Sequence, residues 1–175
     1  LKNKVSKLKA AGATQADNGF NLAVKVMGSA SARTDAKKVV IFFADGSPTS
    51  SNGFEREVAN NAVTAAKKLK DGGATVYSIG IFDGADPSSL GSNENQFMHA
   101  VSSNFPKATS YKNRGDGDKD AGYYKAAKNA SELNAIFDEI EKSETTTSAY
   151  TNVVMEDTLS GYVELADSNY KVVAK

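Results

Sequence analysis

The chain has 175 residues, and its 21 basic and 21 acidic side chains give a formal net charge of zero at pH 7. This balance lacks the basic surface that nucleic-acid-binding proteins use, so no nucleic-acid partner is predicted. The absence of cysteine excludes disulfides and thiol chemistry, and a single histidine leaves little basis for a histidine-based catalytic site, so no enzymatic activity is predicted. No apolar run reaches the roughly 18 residues that a membrane-spanning helix needs.

Helical patterns open the chain. Residues 1–10 place apolar side chains on one face at helical spacing, which predicts a helix with no strand before it. A second helix is predicted to end near Gly28. Its apolar stripe, which we expect in the core, consists of Phe20, Ala23, Val24 and Met27.

The segment Lys37–Ala44 is the clearest strand of the sequence. Its apolar run Val39–Phe43 is typical of a strand buried on both faces, as in a parallel sheet covered by helices. Asp45 and Gly46 follow directly. Open α/β sheets bind ligands at the carboxyl ends of their strands, so Asp45 is either a binding residue or only the start of a turn.

Helices and strands continue to alternate after this strand, and the alternation predicts an α/β fold with a parallel sheet. From about residue 143 the sequence changes to a polar linker and then to short strand-like runs separated by turn residues. The elements predicted between these points are a helix from Phe54 to Leu69, a strand from Ala74 to Phe82, a helix over residues 94–102 with Phe97 and Met98 in the core, a short edge strand over residues 121–127, and a helix capped by Ser131.

A loop near residue 115 carries the tripeptide Arg114-Gly115-Asp116, which integrins recognise. The same three residues also form an ordinary turn, so a ligand-binding loop and a plain turn are both open.

Two further features favour structural interpretations. Asp116, Asp118 and Asp120 alternate as at the start of a calcium loop, but alanines stand where that loop needs glycine and a second carboxylate, which favours a solvated acidic loop. His99 is the single histidine of the sequence, so no second histidine could act with it in catalysis, which favours a packing or surface role.

Taken in order, four segments resemble a von Willebrand factor type A domain. The tail YTNVVMEDTLSGYVEL is similar to the segment that follows such domains in pilus-tip adhesins of Gram-positive bacteria. The four segments are Gly12-Ala13-Thr14 before a helix, Val39–Phe43 followed by Ala44-Asp45-Gly46, Tyr77–Ile81 after a helix that ends in Gly-Gly, and Tyr123–Ala126 leading into the helix with Ser131-Glu132-Leu133.

The resemblance implies a doubly wound, mostly parallel, Rossmann-like sheet whose first strands are missing from this chain. Residues 1–142 would form a partial type A domain, and residues 143–175 would be a linker and either the start of a β-rich, Ig-like or Cna-like module or a strand arm. Type A domains hold a divalent ion through an Asp-x-Ser-x-Ser run, a threonine and an aspartate. Thr14 and Asp45 match the last two, which implies bound Mg²⁺ or Mn²⁺. The Asp-x-Ser-x-Ser run is absent, so a missing N-terminal segment is expected to complete the sheet and the metal site.

The resemblance also implies a function. It points to an extracellular adhesion module of a bacterial cell wall or pilus, whose partners would be a host matrix or cell-surface protein and other pilus subunits. Two alternatives stay open: a structural stalk domain without metal-dependent binding, and an intracellular domain of a chelatase or ATPase assembly.

Overall fold

The computed structural model describes residues 13–29, 32–33, 35–51 and 53–145. The helix predicted over residues 1–10 and the β-rich segment predicted after residue 145 lie outside the described residues. The elements in chain order are α1 (Ala16–Met27), β1 (Val39–Ala44), α2 (Arg56–Asp71), β2 (Thr75–Gly80), α3 (Asn93–Val101), β3 (Tyr124–Ala126) and α4 (Ala130–Thr145).

The three described strands form a parallel sheet in the order β1-β2-β3. Val39 pairs with Thr75 and Ala44 with Gly80, so β1 and β2 end level with each other. The central position of β2 explains why nearly all of its residues are buried. The predicted α/β fold with a parallel sheet is therefore confirmed.

Helices cover both faces of the sheet. On one face α1, α2 and α3 surround a core in which the Phe42 ring lies 4.8 Å from the Phe20 ring and 6.0 Å from the Phe97 ring. On the other face, α4 packs Ile136 and Ile140 against β2. Side chains of β1 alternate between these two faces, which is why its whole run is apolar.

The start of α4 differs from the sequence-based prediction. Asn129, not Ser131, caps the helix: its Oδ1 accepts the Glu132 backbone N–H at 2.9 Å. The Glu132 carboxylate in turn accepts the Lys128 backbone N–H at 2.7 Å. Asn and Ser are both good caps, so local preference alone did not separate them.

The end of α4 extends into the predicted linker, because the helix continues through Ser143, Glu144 and Thr145. Tertiary contacts stabilise this last turn. The Tyr77 hydroxyl donates to Glu144 Oε1 at 2.7 Å, and Lys37 Nζ lies 2.6 Å from Glu144 Oε2. Lys37 precedes β1, so α4 ends near the amino edge of the sheet, opposite Asp45. The domain boundary after residue 142 stays a prediction.

The second edge of β1 pairs with no other described strand. Phe43 on β1 and Phe137 on α4 are exposed large apolar side chains, and α1 exposes two more, Leu22 and Val26. The Phe43 and Phe137 rings lie 5.7 Å apart. This side of the described domain thus combines a free strand edge with uncovered apolar surface.

Within the described part of the chain, no helix is both long and apolar enough to cross a membrane.

Candidate functional site

The loop after β1 carries Asp45 at the carboxyl edge of the sheet, where the sequence predicted it. The Ile81 backbone N–H donates to the Ala44 carbonyl at 2.8 Å and fixes the end of the strand. The Asp45 side chain is exposed and makes no hydrogen bond or ion pair with another described residue. Its carboxylate is therefore available to a ligand.

Thr14 lies just before α1, and its backbone carbonyl accepts two hydrogen bonds. One comes from the Ala16 N–H at 2.9 Å and starts the helix; the other comes from the Thr49 N–H at 3.0 Å. The second bond joins the Thr14 loop to the loop that follows Asp45. Like the Asp45 carboxylate, the Thr14 hydroxyl has no partner among the described residues. The fold thus brings the loops of both predicted ligands together.

Glu55, which precedes α2, organises the loop after Asp45. Its carboxylate accepts the Thr49 hydroxyl at 3.2 Å, the Ser50 hydroxyl at 2.6 Å, and the Ser51 backbone N–H and hydroxyl at 3.0 and 3.1 Å. The hydrogen bond from the Ser50 hydroxyl is the main cause that lowers the Glu55 pKa to about 2. Nothing in the sequence distinguished Glu55, since a glutamate near a helix start is common and carries no distinctive signal.

The same loop is attached to α3 at a second point. The Ser47 hydroxyl donates to Glu94 Oε1 at 2.7 Å, and Glu94 belongs to the first turn of α3. The carboxylates of Glu55, just before α2, and of Glu94, in α3, therefore hold the loop that follows Asp45.

A buried amide organises the loop after β2. Asn95 Oδ1 accepts the Asp86 backbone N–H at 3.0 Å and the Tyr124 hydroxyl at 2.6 Å, and Asn95 Nδ2 donates to the Gly84 carbonyl at 3.0 Å. Burial raises the Tyr124 pKa above its usual range, so the hydroxyl stays protonated as the donor. This network links the loop to α3 and β3.

The tripeptide loop presents its two charged residues differently. Arg114 Nη1 donates to the Tyr111 carbonyl at 2.8 Å, and its guanidinium carbon lies 5.5 Å from the centre of the Phe105 ring. The Asp116 side chain is 97% exposed. Gly115 has a φ of 66°, which glycine adopts without strain. Asp116 Oδ2 lies 4.0 Å from Lys107 Nζ. The ligand-binding role of Arg114, Gly115 and Asp116 stays a prediction.

The neighbouring acidic residues form local contacts. Asp118 Oδ1 accepts the Asp120 backbone N–H at 2.8 Å, and the Asp120 carboxylate pairs with Lys119 at 2.6 Å. These contacts agree with a solvated acidic loop.

The donor chemistry of Thr14 and Asp45 fits a hard divalent ion, since hydroxyl and carboxylate oxygens are the ligands that Mg²⁺ prefers. The described residues contain no group of three or more His, Cys, Asp or Glu side chains that could hold a metal. Thr14 and Asp45 therefore offer part of a coordination shell, and their assignment as metal ligands stays a prediction.

One known protein family matches most of this chain. The family described as von Willebrand factor type A domain matches residues 1–120, which is more than half of the chain. The chain belongs to the von Willebrand factor type A family. No curated protein and no solved structure matches it.

Type A domains are commonly involved in adhesion and protein–protein interaction. The match includes both loops that join at the carboxyl edge and the Arg114–Asp116 loop. The parallel sheet with helices on both faces agrees with the Rossmann-like fold of the family.

Proposed function

We propose that this type A domain is an extracellular adhesion module of a bacterial surface or pilus-tip protein. It binds a host matrix or cell-surface protein at the carboxyl edge of the sheet. The proposal rests on two oxygen side chains, Thr14 and Asp45, that have no partner among the described residues. They lie in two loops joined by the Thr49–Thr14 hydrogen bond.

The site works through a divalent ion, Mg²⁺ or Mn²⁺. Asp45 supplies a carboxylate and Thr14 a hydroxyl, and both side chains lie on loops held in place by contacts with the helices. A bound ion offers a ligand carboxylate a positive centre at this edge.

A further segment of the same polypeptide, preceding the described domain, completes the sheet and the site. Parallel strands are normally paired and covered on both faces, whereas one edge of β1 pairs with no described strand. The exposed Phe43 lies on this strand and its ring lies 5.7 Å from that of Phe137, so the added elements would cover both side chains. An Asp-x-Ser-x-Ser run in that segment would supply the other metal ligands.

The binding proposal is tested with Asp45→Ala in the chain that includes the preceding segment. Adhesion to immobilised matrix proteins is measured with Mg²⁺, with Mn²⁺ and with EDTA, and circular dichroism serves as the folding control. We expect binding to be lost in EDTA and in Asp45→Ala while the fold is retained. The matched control is Asp138→Ala, which removes an exposed carboxylate on α4, away from the carboxyl edge, that has no partner among the described residues.

Unchanged binding in EDTA and in Asp45→Ala would contradict the proposal. It would place the adhesion site elsewhere, in the loop of Arg114–Asp120 or in the segment after residue 142, and leave the carboxyl edge without a binding role.

The proposed completion of the sheet has its own test. The 175-residue chain alone is compared with the chain carrying its preceding segment, by size-exclusion chromatography with light scattering and by urea unfolding. We expect the chain alone to associate, because a free strand edge flanked by apolar surface pairs with other chains. A monodisperse monomer of the chain alone that unfolds cooperatively would refute this part.

A further inference from the structure

The loop between Asp45 and α2 has little means of holding one conformation by packing. Its sequence, from residue 46 to residue 53, consists of glycine, serine, threonine, proline and asparagine, and of its described residues only Pro48 is buried. Such residues favour turns but do not select a single one. Polar contacts to the rest of the domain must therefore fix the loop.

We propose that Glu55 is the positioning residue that holds the Asp45 loop and the Thr14 loop in the arrangement that binds a divalent ion. The inference rests on the function proposed above and deepens it. Glu55 itself is not a metal ligand in this proposal, because its carboxylate is already occupied by donors from the loop.

The contacts lead from Glu55 to both loops. The Glu55 carboxylate binds the Thr49 hydroxyl at 3.2 Å, and the Thr49 backbone N–H binds the Thr14 carbonyl at 3.0 Å. On the other side, the Glu55 backbone N–H donates to the carbonyl of the buried Pro48 at 2.9 Å. Thr49 is thus held between Glu55 and the Thr14 loop, four residues after Asp45.

The number of donors shows why a carboxylate is needed. An ionised carboxylate accepts about four hydrogen bonds and donates none. Four donors from Thr49, Ser50 and Ser51 converge on Glu55 within 3.2 Å. Glutamine has the same size, but it carries no charge. With its NH₂ group toward Ser50, its single oxygen would have to accept the Thr49 and Ser51 donors without the charge that strengthens bonds to a carboxylate. Glu55→Gln should therefore release part of the loop and leave α2 in place.

Glu57→Gln is the matched control. Glu57 lies two residues further along, in the first turn of α2, is exposed and has no partner among the described residues. Its substitution removes the same charge from the same helix start without touching the loop.

The experiment measures the Kd for Mn²⁺ by isothermal titration calorimetry in the chain that carries its preceding segment. Removing a group that orients metal ligands typically weakens metal binding by about 10–100-fold, so we expect Glu55→Gln to raise the Kd at least about tenfold and Glu57→Gln to leave it unchanged. Amide hydrogen exchange followed by NMR gives a second readout that needs no metal. Exchange at Thr49 should become faster in Glu55→Gln, while exchange in β2, for example at Ile79, should stay unchanged.

The outcomes separate the positioning role from the metal site itself. Faster exchange at Thr49 with an unchanged Kd for Mn²⁺ would overturn the positioning role and leave the metal site standing. Failure of the wild-type protein to bind Mn²⁺ would overturn the metal site, and the positioning role with it.

A second variant covers the case in which Glu55→Gln does not fold. The double variant Ser50→Ala/Ser51→Ala removes two hydroxyl donors and keeps the carboxylate. It should raise the Kd in the same direction, and an unchanged Kd in this folded variant would also overturn the positioning role.

Discussion

The buried His99 makes the stability of this domain depend on pH between 7 and 5. Its side chain is fully buried in α3, with a relative exposure of 0%. Asn104 Nδ2 lies 2.9 Å from His99 Nδ1. The same amide group donates to the Lys119 carbonyl at 2.7 Å, and its oxygen accepts the Tyr123 backbone N–H at 2.8 Å. These bonds orient the amide so that Nδ2 donates to Nδ1, and the neutral ring then carries its proton on Nε2.

Protonation of this ring is unfavourable for two reasons. Burial is the main cause that lowers the His99 pKa from 6.5 to about 4, and the nearby charges of Arg114 and Lys119 lower it further. In the neutral ring, Nδ1 accepts a hydrogen bond from the Asn104 NH₂ group. After protonation Nδ1 would also be a donor, so this hydrogen bond would be lost.

The magnitude follows from the difference between the two pKa values. Below pH 6.5 the unfolded chain binds a proton that the folded protein does not bind until pH 4, so stability is highest above pH 6.5 and falls as the pH decreases. The full loss is about 3 kcal/mol, of which roughly 2 kcal/mol falls between pH 7 and pH 5.

The assay is urea unfolding at pH 7, 6 and 5, followed by far-ultraviolet circular dichroism, for the wild type and for His99→Phe. The variant removes the titrating group and keeps a ring in the core, so its free energy of unfolding should change by less than about 0.5 kcal/mol over this range. The range stops at pH 5 because carboxylates with lowered pKa, such as Glu55, Asp86 and Glu144, add their own losses at lower pH. An equal pH dependence in the two proteins would refute the role assigned to His99.

Two further predictions concern the packing of α3 and of the loops after it. Lys70→Met should cost about 3 kcal/mol in urea unfolding, because Lys70 Nζ donates to three carbonyls at the end of α3, those of Ala100, Ser102 and Phe105. A loss no larger than that of the exposed control Lys68→Met would contradict it. Gly117→Ala should cost about 1–3 kcal/mol, since an added Cβ would lie 2.4 Å from the Asn104 carbonyl oxygen. The control is Gly19→Ala on an open face of α1, which should instead stabilise the protein by up to about 1 kcal/mol. Equal effects of the two substitutions on the free energy of unfolding would contradict the close approach at Gly117.

Much of the fold could be predicted because its signals are local. The apolar run Val39–Phe43 predicted a strand buried on both faces. The strand extends from Val39 to Ala44 and packs against a core on each face, but Phe43 is exposed. The predicted core residues Phe97 and Met98 are buried on α3. Asp45 at the carboxyl edge followed from the direction of the strand alone.

The candidate site could be predicted only in part. Thr14 and Asp45 came from the resemblance to the type A family, and the structure shows their loops joined through Thr49. The roles of Glu55 and Glu94 were missed, because a glutamate near a helix start has the same local signal whether or not a loop packs against it.

By itself, the sequence determined the order of the described helices and strands, the apolar character of both faces of β1 and the place of Asp45 at its end. Each depends on residues close together in the chain, where side-chain periodicity and turn preference act. Only the tertiary structure decided which polar groups meet. Ser47 and Glu94 are 47 residues apart in the chain, and Tyr77 and Glu144 are 67 apart. The buried environment of His99 and the extra turn of α4 likewise depend on groups brought together by the packing of the sheet and its helices, and such partners leave no periodic trace in the sequence.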